Sequence, residues 1–340
     1  MTTHRFGGAG RWLAALVCVT TSLTIGCTSG SPGEPEGTPT GASAASAPVE
    51  TRRAAASPTA RPSTSTWAAP IIEVFDVGGS GWAMTKSGGD LWVQVDPPVD
   101  AIVRLDLATG SATSAVPAGH KAESGPEGLW VLGGGWLSRI DPASGKEDLR
   151  IPMGGAFALG DGVAWLLNDG GLHRIDVATG TVGEPVPLDG AFQCANTKGL
   201  VVAFESAWLA CKEGHVVRID VATGATRSIA TGVGAHSFAV TEDAVWVTNY
   251  QANTVSRIDP LTDAVTTIDG VGHGVGITTG GGSVWASTRT GIARIDPATA
   301  SIVEEVHLGS GEYYELVWDE GIIWVSTRGP RVLKVDPSKK

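Results

Sequence analysis

The stretch of sequence that decides the fold is DAVWVTNYQANTVSRIDP, residues 243–260. It contains two short apolar runs rich in β-branched residues, which are joined by a polar turn and closed by Asp-Pro. Such runs predict two antiparallel strands, with Trp246 in the first and Arg257 in the second. The stretch therefore predicts a hairpin in which a tryptophan strand is followed by a strand that ends in aspartate.

This unit is repeated along the chain at intervals of about forty residues, the length of one four-stranded propeller blade. The repeated tryptophans are Trp92, Trp130, Trp165, Trp208, Trp246, Trp285 and Trp324. Seven copies predict an all-β protein, a seven-bladed β-propeller. We expect each tryptophan to be buried between neighbouring blades, where it contributes about 200 Å² of apolar contact area. A sugar-binding aromatic platform is the alternative.

A second signature follows each tryptophan: a basic residue, an aliphatic residue and an aspartate. The basic residues are Arg104, Arg139, Arg174, Arg218, Arg257, Arg294 and Lys334. Because this triplet occurs in every blade, we assign it to the scaffold. The turn after it carries glycine in the first four blades, which predicts a positive φ there. Asp263 and Ala300 stand at the equivalent positions of blades five and six and predict a different turn.

The two ends of the repeat region complement each other. Residues 71–77, IIEVFDV, form an isolated strand pattern before the first repeat, and the last repeat stops after VLKVDP without a fourth strand. We therefore predict that the N-terminal strand closes the last blade and removes an open sheet edge. The propeller domain is predicted to span residues 70–340.

Residues 1–26 have the features of an export signal. Arg5 and Arg11 flank the start of an apolar run over residues 12–25, which is too short to span a bilayer. Residues 23–27, LTIGC, resemble a bacterial lipobox, and this resemblance implies that Cys27 is lipidated after cleavage. The alternative is an ordinary cleaved signal peptide in which Cys27 has no role.

The segment after the signal, residues 27–69, consists mainly of Gly, Ser, Thr, Pro and Ala. It has too little apolar surface to offset its chain entropy, so we predict a disordered linker. Together, signal, Cys27 and linker predict an extracytoplasmic lipoprotein anchored to the bacterial cell membrane.

The whole chain has a formal net charge of −11 and only 17% charged residues. An acidic body repels phosphate backbones and anionic headgroups, which excludes nucleic-acid binding and direct electrostatic docking on membranes. We expect a monomer whose partner is a ligand or an envelope protein.

Two cysteines remain once Cys18 leaves with the signal and Cys27 carries lipid. Cys194 and Cys211 lie in the fourth repeat, on its predicted first strand and at the end of its second. An oxidising compartment favours a disulfide between them. Two separate buried thiols are the alternative.

Residues that vary between blades are the candidates for a functional site. After the glycine that opens each blade, near one mouth of the central channel, come Trp82, His120, Ala156, Ala191, Ala235, His236, His273 and Glu312. The three histidines and the glutamate suit a divalent metal or a general base. A solvated polar rim is the alternative. His173, His215 and His307 are predicted to lie on the surface.

These repeats resemble those of two families. Residues 245–249, VWVTN, with the following NTVSRID, resemble the YVTN-type β-propeller repeats of secreted bacterial proteins. The blade pattern over residues 71–340 also resembles the streptogramin lyase (virginiamycin B lyase) group. That resemblance implies a seven-bladed propeller that opens a cyclic depsipeptide by elimination, with a histidine base and a magnesium ion. His273 in VGHGVGI and His236 in GAHSFAV match the histidine-bearing blade openings of that family.

Three functions follow from these observations. The first is a lipid-anchored extracytoplasmic propeller that binds a ligand or protein at a channel mouth without catalysis. The second is a magnesium-dependent carbon–oxygen lyase of the streptogramin type, with His273 as base. The third is a purely architectural envelope component. The fold by itself does not select among these three functions.

Overall fold

The computed structural model describes residues 70–117, 119–125, 127–160, 162–188, 194, 197–271, 275–309 and 311–339. The predicted signal, Cys27, the linker, Ala191 and His273 lie outside them. The described residues form short β-strands throughout, and none of them belongs to a helix that could span a membrane.

The strands are numbered in chain order, beginning with β1 (Ile71–Asp76). The first blade contains β2 (Gly81–Ser87), β3 (Asp90–Val95), β4 (Ala101–Leu105) and β5 (Ala112–Pro117). The second contains β6 (Gly119–Gly125), β7 (Gly128–Gly133), β8 (Trp136–Asp141) and β9 (Lys146–Ile151). The third contains β10 (Ala156–Gly160), β11 (Val163–Asn168) and β12 (Gly171–Asp176). The next two contain β13 (Thr197–Ala203), β14 (Ser206–Cys211), β15 (His215–Asp220) and β16 (Thr226–Ala230); β17 (Ala235–Thr241), β18 (Ala244–Asn249), β19 (Thr254–Ile258) and β20 (Val265–Asp269). The last two contain β21 (Ile277–Gly280), β22 (Ser283–Ser287), β23 (Gly291–Asp296) and β24 (Ser301–His307); β25 (Tyr313–Asp319), β26 (Ile322–Thr327) and β27 (Arg331–Val335).

The strands form seven antiparallel sheets, in each of which consecutive strands are neighbours. The first strand of every blade contacts the first strand of the next, and β25 contacts β2. The sheets therefore close into a ring, and the prediction of a seven-bladed propeller is confirmed.

The ring closes through the N-terminal strand, as predicted. β1 pairs with β27 on the outer edge of the last blade, with Phe75 opposite Val332. The Phe75 ring packs on Trp324, with ring centroids 5.7 Å apart. Backbone bonds at both ends extend the pairing: Val77 N donates to Pro330 O at 2.9 Å, and Asp336 N donates to Pro70 O at 2.8 Å. The first and last segments of the domain thus share one sheet.

The repeated tryptophan and basic residue form one structural unit. All seven repeated tryptophans are buried, and each lies directly opposite the basic residue of the following strand. In the fourth blade the Arg218 guanidinium lies 4.9 Å from the centre of the Trp208 ring. Burial between blades and a cation over the ring stabilise the scaffold, so these tryptophans offer no sugar-binding platform.

The third blade differs from the predicted four strands. Among the described residues, the segment after β12 forms no fourth strand. It pairs with β12 only through two isolated bridges, Leu172 with Val186 and Ile175 with Val182. Pro185 and Pro187 occur in this segment and have no N–H group for a ladder, which explains why a regular outer strand does not form.

The turns after the third strands are more uniform than predicted. Gly110, Gly145, Gly180 and Gly224 have the positive φ expected, but Asp263 (φ 59°) and Ala300 (φ 49°) adopt it as well. The predicted difference in conformation is therefore wrong for blades five and six. The Asp263 carboxylate pairs with Arg218 and Arg227, which stabilises this aspartate in a conformation that Asp tolerates better than most residues.

Candidate binding site at one channel mouth

A cavity of about 770 Å³ is lined by the first strands of six blades: β2, β6, β10, β13, β17 and β25. Each blade has one residue that stands nine positions before the repeated tryptophan, in the first strand or directly before it; we call this the innermost position. These residues are Ala83, Lys121, Ala156, Gly199, Ser237, Gly276 and Glu315. All of them except Gly276 line the cavity. The side chains that differ between blades therefore gather in one space.

The predicted rim residues have different positions relative to this cavity. Trp82, His120 and His236 line it, each one residue before the innermost position. Glu312 does not line it. In the last blade it is Tyr314 that stands ten residues before the repeated tryptophan, as Trp82 does in the first blade. In the fourth blade Gly199 of β13 lies at the cavity, and Ala191 lies outside the described residues. His273 lies outside the described residues.

Two aromatic rings stack at the junction of the first and last blades. The Trp82 and Tyr314 ring centroids are 4.3 Å apart, with ring planes 13° apart. Trp82 Nε1 donates to Asp96 Oδ2, and Tyr314 Oη donates to Glu312 Oε2 at 3.0 Å. Burial and the neighbouring Glu312 carboxylate raise the pKa of Tyr314 to about 12. The phenol therefore keeps its proton and remains a hydrogen-bond donor at neutral pH.

Glu312 is committed to partners within the last blade. Arg328 Nη1 donates to both of its carboxylate oxygens, at 2.9 and 3.0 Å. The Arg328 backbone carbonyl in turn accepts from Ser80 Oγ in the first blade. Glu312 thus orients Tyr314 and Arg328 around the blade junction.

A lysine and a glutamate pair inside the cavity. Lys121 Nζ lies 2.5 Å from Glu123 Oε1 and donates to Phe157 O at 2.8 Å. Glu123 Oε2 accepts from Leu159 N at 2.8 Å. Each charged group has its countercharge and a backbone partner in the next blade, so the pair joins the second blade to the third.

Glu315 is the carboxyl group at the innermost position of the last blade. Its side chain is half-buried and lines the channel cavity, and its Oε1 accepts from Leu316 N at 3.2 Å. Desolvation raises its pKa from 4.5 to about 8, although the Leu316 hydrogen bond and the Lys121 charge lower it. At neutral pH the Glu315 side chain is therefore largely an uncharged carboxylic acid.

His236 lies near the start of β17, the first strand of the fifth blade. Its Nδ1 is 3.0 Å from Ser237 Oγ, and its ring meets the Tyr250 ring edge-on, with centroids 6.0 Å apart. Lys212 Nζ lies 5.8 Å from the centre of the Tyr250 ring. The imidazole is thus held among polar and aromatic groups of the fourth and fifth blades.

A magnesium ion, which the lyase resemblance implies, requires several oxygen ligands in one place. Among the described residues, the one group of three His, Cys, Asp or Glu side chains with mutually close ligand atoms is Cys194, Cys211 and Glu213. Its two cysteines are joined to each other. At the mouth, Asp96, Glu123 and Glu312 accept hydrogen bonds from protein donors. Among the described residues at the mouth, three such ligand atoms do not come together in one place.

Cys194 and Cys211 form a disulfide in this structure, with Cα atoms 5.2 Å apart. Cys211 ends β14, as expected, but Cys194 precedes β13 instead of lying on it. The bond therefore joins the segment before the first strand of the fourth blade to the second strand.

Lys121, Glu123, Tyr314 and Glu315 were missed by the sequence prediction. The prediction aligned the blades on the glycine that opens each of them, and the loops around those glycines vary in length. Alignment on the tryptophans, counting nine residues back, finds all seven innermost positions. His173 also differs from the prediction: it is buried and its Nε2 lies 3.1 Å from Asn168 Oδ1.

Comparison of the chain with known proteins shows the fold. The sequence matches no protein-family model, and no curated protein matches it. Among solved structures, virginiamycin B lyase from Staphylococcus aureus is similar, with a TM-score of 0.62 and 15% identity over 77% of this chain and 98% of that chain. A streptogramin B lyase structure has a TM-score of 0.59 and 16% identity over 81% and 97%. The extracellular domain of a hybrid two component system from B. thetaiotaomicron has a TM-score of 0.59 and 13% identity, covering 83% of this chain and 44% of that chain.

These likenesses and the blade count define the class of protein. The chain is a seven-bladed β-propeller with the architecture that the two lyases share. The TM-scores establish a common fold. Because the identities are this low, the activity has to be argued from the site.

Proposed function

We propose that this protein is a lipid-anchored, extracytoplasmic propeller that binds a small ligand at the channel mouth without catalysis of its own. The observation that carries the proposal is the cavity of about 770 Å³ lined by side chains that differ from blade to blade. A space of this size lies within the range of ligand pockets, about 300–1,000 Å³.

The repeated and the variable residues have separate tasks in the fold. Tryptophans and basic residues pack between blades, where they hold the ring together. Trp82, His120, Lys121, His236 and Glu315 break the repeat and adjoin one cavity. Residues that a scaffold does not need, placed together in a concave space, are typical of a binding site.

The lyase function receives less support from the described residues. Its base, His273, lies outside them, and the described carboxylates at the mouth do not form a group of three with mutually close oxygens. General-base and metal chemistry both need groups free to contact the substrate. Binding without catalysis requires only the shape and polarity of the cavity.

The anchor is the part of the proposal that depends on Cys27. A lipid on Cys27, followed by the linker of residues 28–69, holds an acidic body near a membrane that its own charge does not attract. Cys27→Ser is expected to release the protein from the membrane fraction into the soluble fraction. Unchanged membrane association of this variant would contradict lipid anchoring.

Ligand binding at the mouth is tested by filling the cavity. Ala83 lines it at an innermost position, so Ala83→Trp is designed to occupy the space, whereas Thr113→Trp adds the same side chain on the exposed face of β5. A panel of neutral, anionic and cationic small molecules is screened against the full chain by ligand-observed NMR. We expect ligands that bind the native and Thr113→Trp proteins and lose binding to Ala83→Trp. Identical profiles for all three proteins would overturn the proposed site.

A further inference from the structure

The indole of Trp82 is stacked on one ring face and remains partly exposed. Tyr314 stacks on one face, with ring planes 13° apart. Trp82 is nevertheless 37% exposed, and it lines the cavity together with Asp96, which accepts its Nε1 hydrogen bond. Stacking and the hydrogen bond fix the ring plane, so the exposed part of the indole is presented in a defined orientation.

Other tryptophans of this protein have a cation of the chain over the ring. The Arg150 guanidinium lies 4.3 Å from the centre of the Trp136 ring, and Arg218 covers Trp208 at 4.9 Å. In the part of the chain that the structure describes, no lysine or arginine lies over the ring of Trp82. The electron-rich face of this indole is therefore available to a cation from outside.

The charges of the cavity favour the same kind of ligand. Among the described lining residues, Asp96, Glu123 and Glu315 are acidic and Lys121 is basic. Glu315 is largely uncharged at neutral pH, so the carboxylates of the lining are Asp96 and Glu123. Lys121 is already neutralised by Glu123 at 2.5 Å. An anion entering this space would meet no uncommitted lysine or arginine of the lining, while a cation would meet the carboxylate of Asp96 beside the Trp82 ring.

From these observations we infer that the channel mouth binds an organic cation, an alkylammonium or guanidinium group that stacks on Trp82 beside Asp96. This inference rests on the proposed binding function and adds the chemical class of the ligand. The aromatic face supplies the attraction to the charge, and Asp96 supplies the countercharge. A neutral sugar also stacks on an indole, so the test separates charge from shape.

Choline and its neutral carbon analogue 3,3-dimethylbutan-1-ol are the probes, titrated separately into the full chain by calorimetry at pH 7. The two differ chiefly in charge, so a cation site should bind choline roughly tenfold more tightly than the analogue. Trp82→Leu should weaken choline binding by about tenfold, and Trp82→Phe should weaken it less, because phenylalanine keeps an aromatic face. Asp96→Asn removes the charge but keeps an oxygen acceptor for Trp82 Nε1, and it should also weaken choline binding.

Trp136→Leu is the matched control, because the Trp136 ring already carries Arg150 and does not line the cavity. We expect its affinity for choline to equal that of the native protein. Equal, Trp82-dependent binding of choline and the neutral analogue would overturn the cation class and leave the binding function standing. Choline binding that does not depend on Trp82, or no choline binding at all, would also overturn the inference. The cavity-filling experiment with Ala83→Trp then decides the binding function separately.

Discussion

Trp82 and Tyr314, which belong to the first and last blades, stack with ring centroids 4.3 Å apart. The pair lies where the ring of blades closes, because β2 contacts β25 there. Ser80 Oγ donates to the Arg328 carbonyl across the same junction. The residues that shape the channel mouth thus also join the two ends of the propeller, so changes at the mouth affect stability as well as binding.

Replacement of Tyr314 separates the stack from the hydrogen bond. Tyr314→Phe keeps the ring on Trp82 but loses the bond to Glu312, which should lower the free energy of unfolding by about 0.5–1.5 kcal/mol. Tyr314→Ala loses the stack as well, and we expect it to cost at least about 1 kcal/mol more. Urea unfolding of the two variants measures the difference. Equal losses would show that the stack does not stabilise the junction.

Phe75, in the closing strand β1, should contribute strongly to the free energy of unfolding. This side chain is 3% exposed and packs on Trp324 in the last blade. Phe75→Ala should lower the free energy of unfolding by about 3–5 kcal/mol, because it leaves a cavity in the core. Thr113→Ala, on the exposed face of the outer strand β5, is the control and should change it by less than about 0.5 kcal/mol. A similarly small effect at Phe75 would show that closure of the last blade contributes little.

The disulfide should stabilise the fourth blade. Cys194 and Cys211 are separated by 17 residues, and a crosslink over a loop of this length stabilises by about 3 kcal/mol in the chain-entropy description. We expect reduction of the native protein with dithiothreitol to lower the midpoint of thermal unfolding. The Cys194→Ala/Cys211→Ala double variant should have a low midpoint from the start and no response to the reductant. A native protein that is insensitive to reductant would contradict a stabilising bond.

The fold could be predicted from the sequence because its determinants occur in every blade. The strand pattern, the buried tryptophan and the following basic residue are local and repeated, so one misassigned blade does not change the count. The closing strand followed from the isolated strand before the first repeat and the missing fourth strand of the last repeat. The outer segment of the third blade was less predictable, because Pro185 and Pro187 weaken the ladder without changing the repeat spacing.

The candidate site was predicted only in part, for a physical reason. Trp82, His120 and His236 were placed at the cavity, since each follows a glycine close to the start of a first strand. Glu312 was assigned to the equivalent place in the last blade, which Tyr314 holds. Contacts across the ring, such as the stacking of Trp82 on Tyr314, join residues far apart in the sequence. No local pattern reports them.

Glu315 should make the stability of the protein depend on pH. Burial raises the pKa of its carboxyl group from 4.5 to about 8. Between these two values the unfolded chain releases the proton that the folded protein retains. The stabilising effect is therefore fully present below pH 4.5 and is lost as the pH rises towards 8. Because glutamine is neutral at every pH, Glu315→Gln should flatten this part of the stability profile and make the variant relatively more stable at pH 8.

Urea unfolding of the native protein and Glu315→Gln, measured at intervals from pH 4.5 to 9, gives the two profiles. Glu242→Gln, on an exposed turn before β18, is the matched control and should retain the slope of the native protein. The pKa of the adjacent residue, Tyr314, is raised to about 12, which lies above this window, so Tyr314 does not contribute to the slope. If Glu315→Gln keeps the native slope, the raised pKa of Glu315 is contradicted. The Glu315 carboxyl group is then already ionised in the folded protein at neutral pH and adds one negative charge to the cavity.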